Sequence, residues 1–311
     1  MDGADLLVLP WALQSASAHL LTGDLVVHDI ERWCHRKAEK GGIKPVMAVL
    51  FFNTGPDSVN YVKFKAHVAA RAGVSYWVYE MSTDASTSQV ISQVQKLNKN
   101  PRIHGILVQR HLPEQVDVQK VMASIEDVKN LEEYTKGLAD NIAADSLIRL
   151  LASHGLLQFA RKAKIRIVGF GNVITEEFIR QMKHQFSYVS WSKDFDPSCD
   201  ANQDEHEALE TEVEAPRRTI IISELHRGPG FIKESMVKPE VSVLIDFGFY
   251  VTEKGFMGDL SHSLFGRSDL AIAPTPGGIF PILSWIMMER TIKAKEILAN
   301  EGVRGCCCSI M

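Results

Sequence analysis

Val46-Met-Ala-Val-Leu-Phe-Phe52 is an unbroken apolar run held between two turn clusters, Gly41-Gly42 before it and Asn53-Thr-Gly-Pro-Asp57 after it. A run that short and that uniformly apolar suits a strand buried on both faces, which in turn requires parallel neighbours covered by helices. The flanking segments supply them. A helix is expected from Asp24 to Lys40, stopped by Gly41-Gly42, the usual place for a left-handed C-terminal residue. Asp57 or Ser58 caps a second helix that runs to Ala72 and ends at Gly73. Val74–Tyr79, Ser86–Asn98 and Gly105–Gln109 then read as strand, helix and strand. The alternation resumes with a helix over Asp145–Gln158 and strands at Lys164–Gly169, Ser190–Lys193, Thr219–Ser223, Val241–Asp246 and Leu270–Ala273, before a closing helix at Trp285–Leu298. Strands alternating with helices imply a parallel sheet and an α/β fold.

A chain of 311 residues is long enough for two cores. We expect a two-lobed molecule with a cleft between the lobes. Residues 1–144, completed by a C-terminal helix at 283–300, form a three-layer α/β lobe. Residues 145–282 form a Rossmann-like doubly wound lobe, and 301–311 form a tail. The net charge of −4 provides no general footprint for nucleic acid, which wants a clustered basic surface. No apolar run is long enough to span a bilayer. Two acids in Met-Asp-Gly-Ala-Asp disfavour a basic leader, so the expected location is cytoplasmic, with organellar import left open.

Several strings resemble one family in order and spacing. Tyr61 and Lys65 share a helix face, four residues apart. Gly105-Ile-Leu-Val-Gln109 ends a strand, Asp127-Val-Lys-Asn130 follows, and Pro274-Thr-Pro-Gly-Gly-Ile-Phe-Pro281 comes near the end. Ile245-Asp-Phe-Gly248 and Gly258-Asp259 add to the set. Over Leu21 to Ala294 the chain resembles the bifunctional methylenetetrahydrofolate dehydrogenase/cyclohydrolase family. The resemblance implies oxidation of 5,10-methylenetetrahydrofolate with NAD(P), then hydrolysis of the methenyl product to 10-formyltetrahydrofolate. It implies catalytic roles for Lys65, Tyr61 and Gln109. A lysine partly stripped of water exchanges protons near neutral pH, and a glutamine can orient it.

The departures from the family pattern are expected to matter. Within the family's Asp-Val-Asp-Gly, the second acid grips the pterin edge; aligned on Asp127-Val128, this chain has Lys129 there. An ammonium can only donate where a carboxylate accepts. Pro276, Gly277, Gly278 and Phe280 fall on the family's substrate loop, with Phe280 replacing a glycine. Gly169, Gly171, Asn172 and Thr175 fall on the cofactor loop, where Phe170 replaces an arginine and Thr175 a glycine. Glu176 and Glu177 sit where a pyrophosphate would meet the helix N-terminus. These changes favour a catalytically impaired relative kept as a scaffold, sensor or subunit, with no cofactor assigned. The alternative is an active one-carbon enzyme using Lys65 as general acid/base, with tetrahydrofolate and NAD(P) as ligands.

Two segments lie outside that pattern. Asp194 to Pro216 holds nine Asp or Glu residues and no Lys or Arg, and reads as a solvated insertion. A basic protein partner is the other reading. The implied homodimer pairs Rossmann-lobe elements, and the insertion could interfere with it. Cys308-Ser-Ile-Met311 matches a prenylation box. With Cys306 and Cys307 as further lipid acceptors, it would tie the chain to a membrane. A free thiol tail is the alternative. Contiguous thiols are spaced too closely for an ordinary metal site, and no metal is expected.

Overall fold

A computed structural model describes residues 17–307 apart from 39, 41, 111, 134–140, 172, 197–217 and 254, with only the backbone described for 56, 57 and 301–307. Cys308 and most of the acidic insertion, from residue 197, lie outside the described residues. So does Asn172. The chain divides into two compact units, one of Val26–Asp145 with Ile282 onward, the other of residues through Leu25 with Ser146–Pro281.

Residues 17–25 therefore join the second unit, not the first as expected. Its cause is a two-residue strand, β1 (His19–Leu20), which pairs in parallel with a late strand of the other sheet. A segment that short has no periodicity to read.

The first unit begins within α1 (Asp24–Ala38), which buries Val26, Ile30, Cys34 and Ala38 along one stripe. The strands β2 (Val46–Phe52), β3 (Ser75–Met81) and β4 (Gly105–Val108) form a parallel sheet in the order β3-β2-β4. Every residue of β2 is buried, as a central strand requires. Around it pack Val90, Val94, Leu97, Ile106 and Val121. The connecting helices are α2 (Pro56–Ala72), α3 (Thr87–Lys99) and the short α4 (Val118–Ala123). Pro56, in the first turn of α2, lacks only an N–H that would be orphaned there. The cap itself is Gly55 with no side-chain bond; the expected cap residue Ser58 instead accepts from Thr54 N and donates to Gly55 O. Gly73 closes α2 at φ 74°, in the left-handed region. A reciprocal Ser86–Gln89 capping box opens α3.

In the second unit, α5 (Ile142–Ser153) and α6 (Leu157–Lys162) replace the single helix expected over 145–158, broken by Gly155 at φ 71°. Then follow β5 (Lys164–Gly169), α7 (Glu176–Gln185), β6 (Val189–Ser192), β7 (Thr219–Glu224) and β8 (Val241–Asp246). A hairpin of β9 (Tyr250–Thr252) and β10 (Gly255–Met257) precedes β11 (Ala271–Ala273). Six strands pair in parallel in the order β1-β11-β8-β7-β5-β6. This is a Rossmann-like doubly wound sheet, whose strand order reverses beside β5, with β6 on one side of it and β7 on the other. The last helix, α8 (Ile279–Cys307), starts in this unit and continues in the first.

Candidate active site

In the first unit, α2 and the end of β4 bring Tyr61, Lys65 and Gln109 together. Lys65 is 3% exposed. Its Nζ donates to Gln109 Oε1 at 3.4 Å and lies 3.9 Å from the centroid of the Tyr61 ring. Gln109 is itself fixed, because its Nε2 donates to the Ser58 carbonyl at 2.8 Å. That bond assigns the amide oxygen, the acceptor, to the lysine. Burial drives the Lys65 pKa down to about 7, while the carboxylate of Glu132 acts in the opposite direction. A buried amine of that kind exists in both protonation states near neutral pH.

Sequence reasoning misses Glu132. The chain after β4 makes a parallel bridge from Asn130 to Ile106. The Asn130 side-chain oxygen then accepts from Glu132 N at 3.1 Å and Glu133 N at 3.0 Å. Leu131 is wholly buried, and its carbonyl accepts from Arg290 Nη1 at 3.0 Å. Between these two anchors the Glu132 side chain reaches the field of Lys65, with Arg110 Nη2 at 3.5 Å from its Oε2. Among the described residues that oxygen is buried and accepts no hydrogen bond.

Lys129 must be corrected. Its ammonium donates to the carbonyls of Leu97, Asn98 and Asn100. These belong to the last turn of α3 and the residue beyond it, where carbonyls lack intrahelical partners. Lys129 is a helix cap and does not reverse the charge of a ligand pocket. Three residues later, Asn130-Leu131-Glu132-Glu133 brings an acid, Glu132, into the field of Lys65.

Phe280 also needs correction. It is 7% exposed and packs 5.1 Å, centroid to centroid, from Phe249 in the second unit, which in turn lies 5.0 Å from Phe256. The ring is part of an aromatic cluster that stabilises its own unit. In the adjoining loop, Pro276 follows a cis bond, Gly277 has φ 104°, and a Cβ on Gly278 would lie 2.7 Å from the Pro274 carbonyl. The carbonyl of Gly277 accepts from Gly23 N at 2.8 Å.

The loop between β5 and α7 holds Gly169, Gly171 and Thr175. Thr175 caps α7 through its side chain, accepting from Phe178 N. Glu177 is engaged by Arg180 and Gln181 and so does not occupy the loop. That position is taken from β7 instead. The carboxylate of Glu224 accepts from Val173 N at 3.1 and 3.0 Å and from Ile174 N at 2.7 Å.

The units define a two-domain α/β protein with a lysine–glutamine–glutamate cluster on one and a Rossmann-type sheet in the other. The catalytic domain of tetrahydrofolate dehydrogenase/cyclohydrolase matches residues 21–132, and the NAD(P)-binding domain of the same family matches 143–299. The chain belongs to the tetrahydrofolate dehydrogenase/cyclohydrolase family. It is similar to the bifunctional protein FolD of Psychrobacter sp., 25% identical over 305 residues that cover 93% of this chain and 100% of the relative. The FolD of Acetivibrio thermocellus is 27% identical over 271 residues, covering 84% and 90%. The fold matches the methylenetetrahydrofolate dehydrogenase-cyclohydrolase of Trypanosoma brucei with a TM-score of 0.71 at 18% identity, covering 90% and 98% of the two chains. For the Campylobacter jejuni bifunctional enzyme FolD the TM-score is 0.69 at 20% identity, with 90% and 99% covered.

Proposed function

We propose that this chain is an active one-carbon folate enzyme that hydrolyses 5,10-methenyltetrahydrofolate to 10-formyltetrahydrofolate, with Lys65 as general acid/base. The observation that carries this reading is the buried Lys65 held by Gln109 with the acid Glu132 in range. In the reaction a water adds to the cationic methenyl carbon and gives up a proton, for which the neutral amine of Lys65 is the acceptor. The carbon–N5 bond then breaks as N5 takes a proton from the Lys65 ammonium, the carbinol O–H gives its proton to solvent and becomes the carbonyl, and the formyl group stays on N10. One water is consumed and one proton is released overall. An amine with a pKa near 7 suits both transfers. Glu132 Oε2 offers an acceptor to the donor edge of a pterin, and the Tyr61 ring steadies the ammonium form of Lys65 through its π face.

The reading of an impaired relative rests on Lys129, Phe280 and the nucleotide loop. The capping role of Lys129 and the packing of Phe280 on Phe249 weigh against the first two and favour a working folate site. The family also implies NAD(P), but the loop that would meet its pyrophosphate has its amides bonded to Glu224. The hydrolysis itself needs no cofactor.

The test is the decay of the methenyl chromophore in the presence of purified chain at neutral pH. Lys65→Met is expected to lower the rate by about 10²-fold or more, the usual worth of a positioned acid/base. Hydrolysis by the unaltered chain no faster than in buffer alone would refute the assignment.

A further inference from the structure

A dinucleotide fold holds its pyrophosphate on the backbone amides between the first strand and the next helix, where glycines let the phosphates come close. In this chain both features of that seat are filled from within. The Glu224 side chain, 3% exposed, ends β7 with its carboxylate on the amides of Val173 and Ile174. An internal anion thus takes the donors that an external one would use. Independently, the imidazole of His226 covers Gly171: a Cβ placed on that glycine would lie 2.2 Å from His226 Nε2. His226 reaches this position with φ 51°, the one non-glycine residue of positive φ among the described residues. Its Nε2 stands 3.9 Å from Glu224 Oε1. At Gly169 the backbone closes against β7, so that a Cβ there would lie 1.8 Å from the Glu224 carbonyl oxygen.

A pyrophosphate entering this loop would face a buried carboxylate of like charge. Moving Glu224 aside would take its buried carboxylate off the amide donors that hold it, which is unfavourable for a charged group. Two further acids, Glu176 and Glu177, stand in the first turn of α7 and complement the same helix end.

We propose that Glu224 and His226 are a built-in occupant of the dinucleotide pyrophosphate seat, so that the chain hydrolyses its folate without transferring hydride to NAD or NADP. The identity of the reaction rests on the hydrolytic reading above; the exclusion of the cofactor rests on the loop alone. The methenyl substrate must then come from a separate oxidation of the methylene compound.

The experiment titrates the full chain with NAD, NADP and inorganic pyrophosphate by calorimetry. It repeats the titration on a Glu224→Ser/His226→Gly double variant. The unaltered chain is expected to show no saturable binding up to about 1 mM ligand, an affinity weaker than about −4 kcal/mol. The double variant is expected to bind at least one dinucleotide tenfold or more tightly. Micromolar binding of NAD or NADP by the unaltered chain overturns the proposal, as does a cooperatively folded double variant with no gain. Should the double variant not fold, the unaltered chain's titration decides alone. Methenyl hydrolysis is read in a separate assay. Its absence strikes the role of Lys65, whereas cofactor binding strikes the role of Glu224.

Discussion

Two forces meet at the Lys65 ammonium. Burial favours the neutral amine, and Glu132 favours the charged form, with burial the larger. Removing the acid should therefore lower the Lys65 pKa further. Glu132→Gln is expected to move the acidic limb of the pH–rate profile to lower pH and to raise KM, since the amide both loses its charge and places a donor group beside a pterin's donors. A profile that stays in place, or moves upward, would show that Glu132 does not act on Lys65. Lys129 offers the opposite test. Lys129→Met keeps the buried stem but leaves the last carbonyls of α3 without their donor. We expect a loss of about 1–3 kcal/mol in urea unfolding with kcat nearly unchanged. A large loss of kcat at full stability would return Lys129 to the ligand pocket. The error in the sequence reading has the same origin. Asp127-Val-Lys-Asn130 resembles the family string by its letters, whereas the alternative three residues on matches only by chemical type. The signal for an acid at the site is Leu131: an apolar residue between Asn130 and Glu132, wholly buried next to the residue that bridges to β4.

At the level of elements, the strands of Val46–Phe52, Lys164–Gly169 and Val241–Asp246 are legible to the residue. Each is a short run dominated by β-branched and other apolar residues between turn signals, the signature of a strand with at least one buried face. β1 and the β9–β10 hairpin are not legible, being two or three residues long and held by partners distant in sequence or by their own turn. The closing helix is legible but its reach is not: α8 spans Ile279–Cys307 instead of Trp285–Leu298. Its buried Arg290 supports the site from behind. Arg290 is 2% exposed, donates to the Leu131 carbonyl, and has Asp145 Oδ2 at 3.5 Å. Arg290→Met should cost about 2–3 kcal/mol, the scale of a charged hydrogen bond lost in a core. It should also raise KM for the folate, because the backbone that carries Glu132 loses an anchor. A variant as stable as the parent, with unaltered KM, would refute that supporting role.

Across the whole molecule, burial depresses a set of bases in the first unit and raises an acid pair in the second. The first unit holds bases whose pKa burial lowers: Lys65 to about 7, His104 to about 4, and Lys129 and Lys295 as well. The second unit holds a buried acid pair, Asp246 and Asp259. Burial, then the neighbouring Asp259, pushes Asp246 up to about 8, and burial raises Asp259. The pair is built into the turn after β8: Asp246 accepts from Gly248 N, Asp259 N and Leu260 N, and Asp259 accepts from Tyr250 Oη and Leu225 N. The signs of linkage are opposite. A base with a depressed folded pKa contributes stability that is present above its unfolded pKa and is lost as pH falls through the folded one. For Lys65 that window runs from 10.5 down to about 7, and for His104 from 6.5 down to about 4. An acid with a raised folded pKa contributes stability that is present below its unfolded value and is lost as pH rises through the folded one, for Asp246 from 3.8 up to about 8. Between about pH 5.5 and about pH 8.5 the first unit should therefore gain stability while the second loses it. Calorimetric scans at the two ends should show transitions moving in opposite directions. Gly169→Ala identifies the second unit's transition by lowering it alone, since the new Cβ meets the Glu224 carbonyl at φ 100°. Transitions that shift together, in the same direction, would mean that the buried bases and acids do not control the stability of their own units.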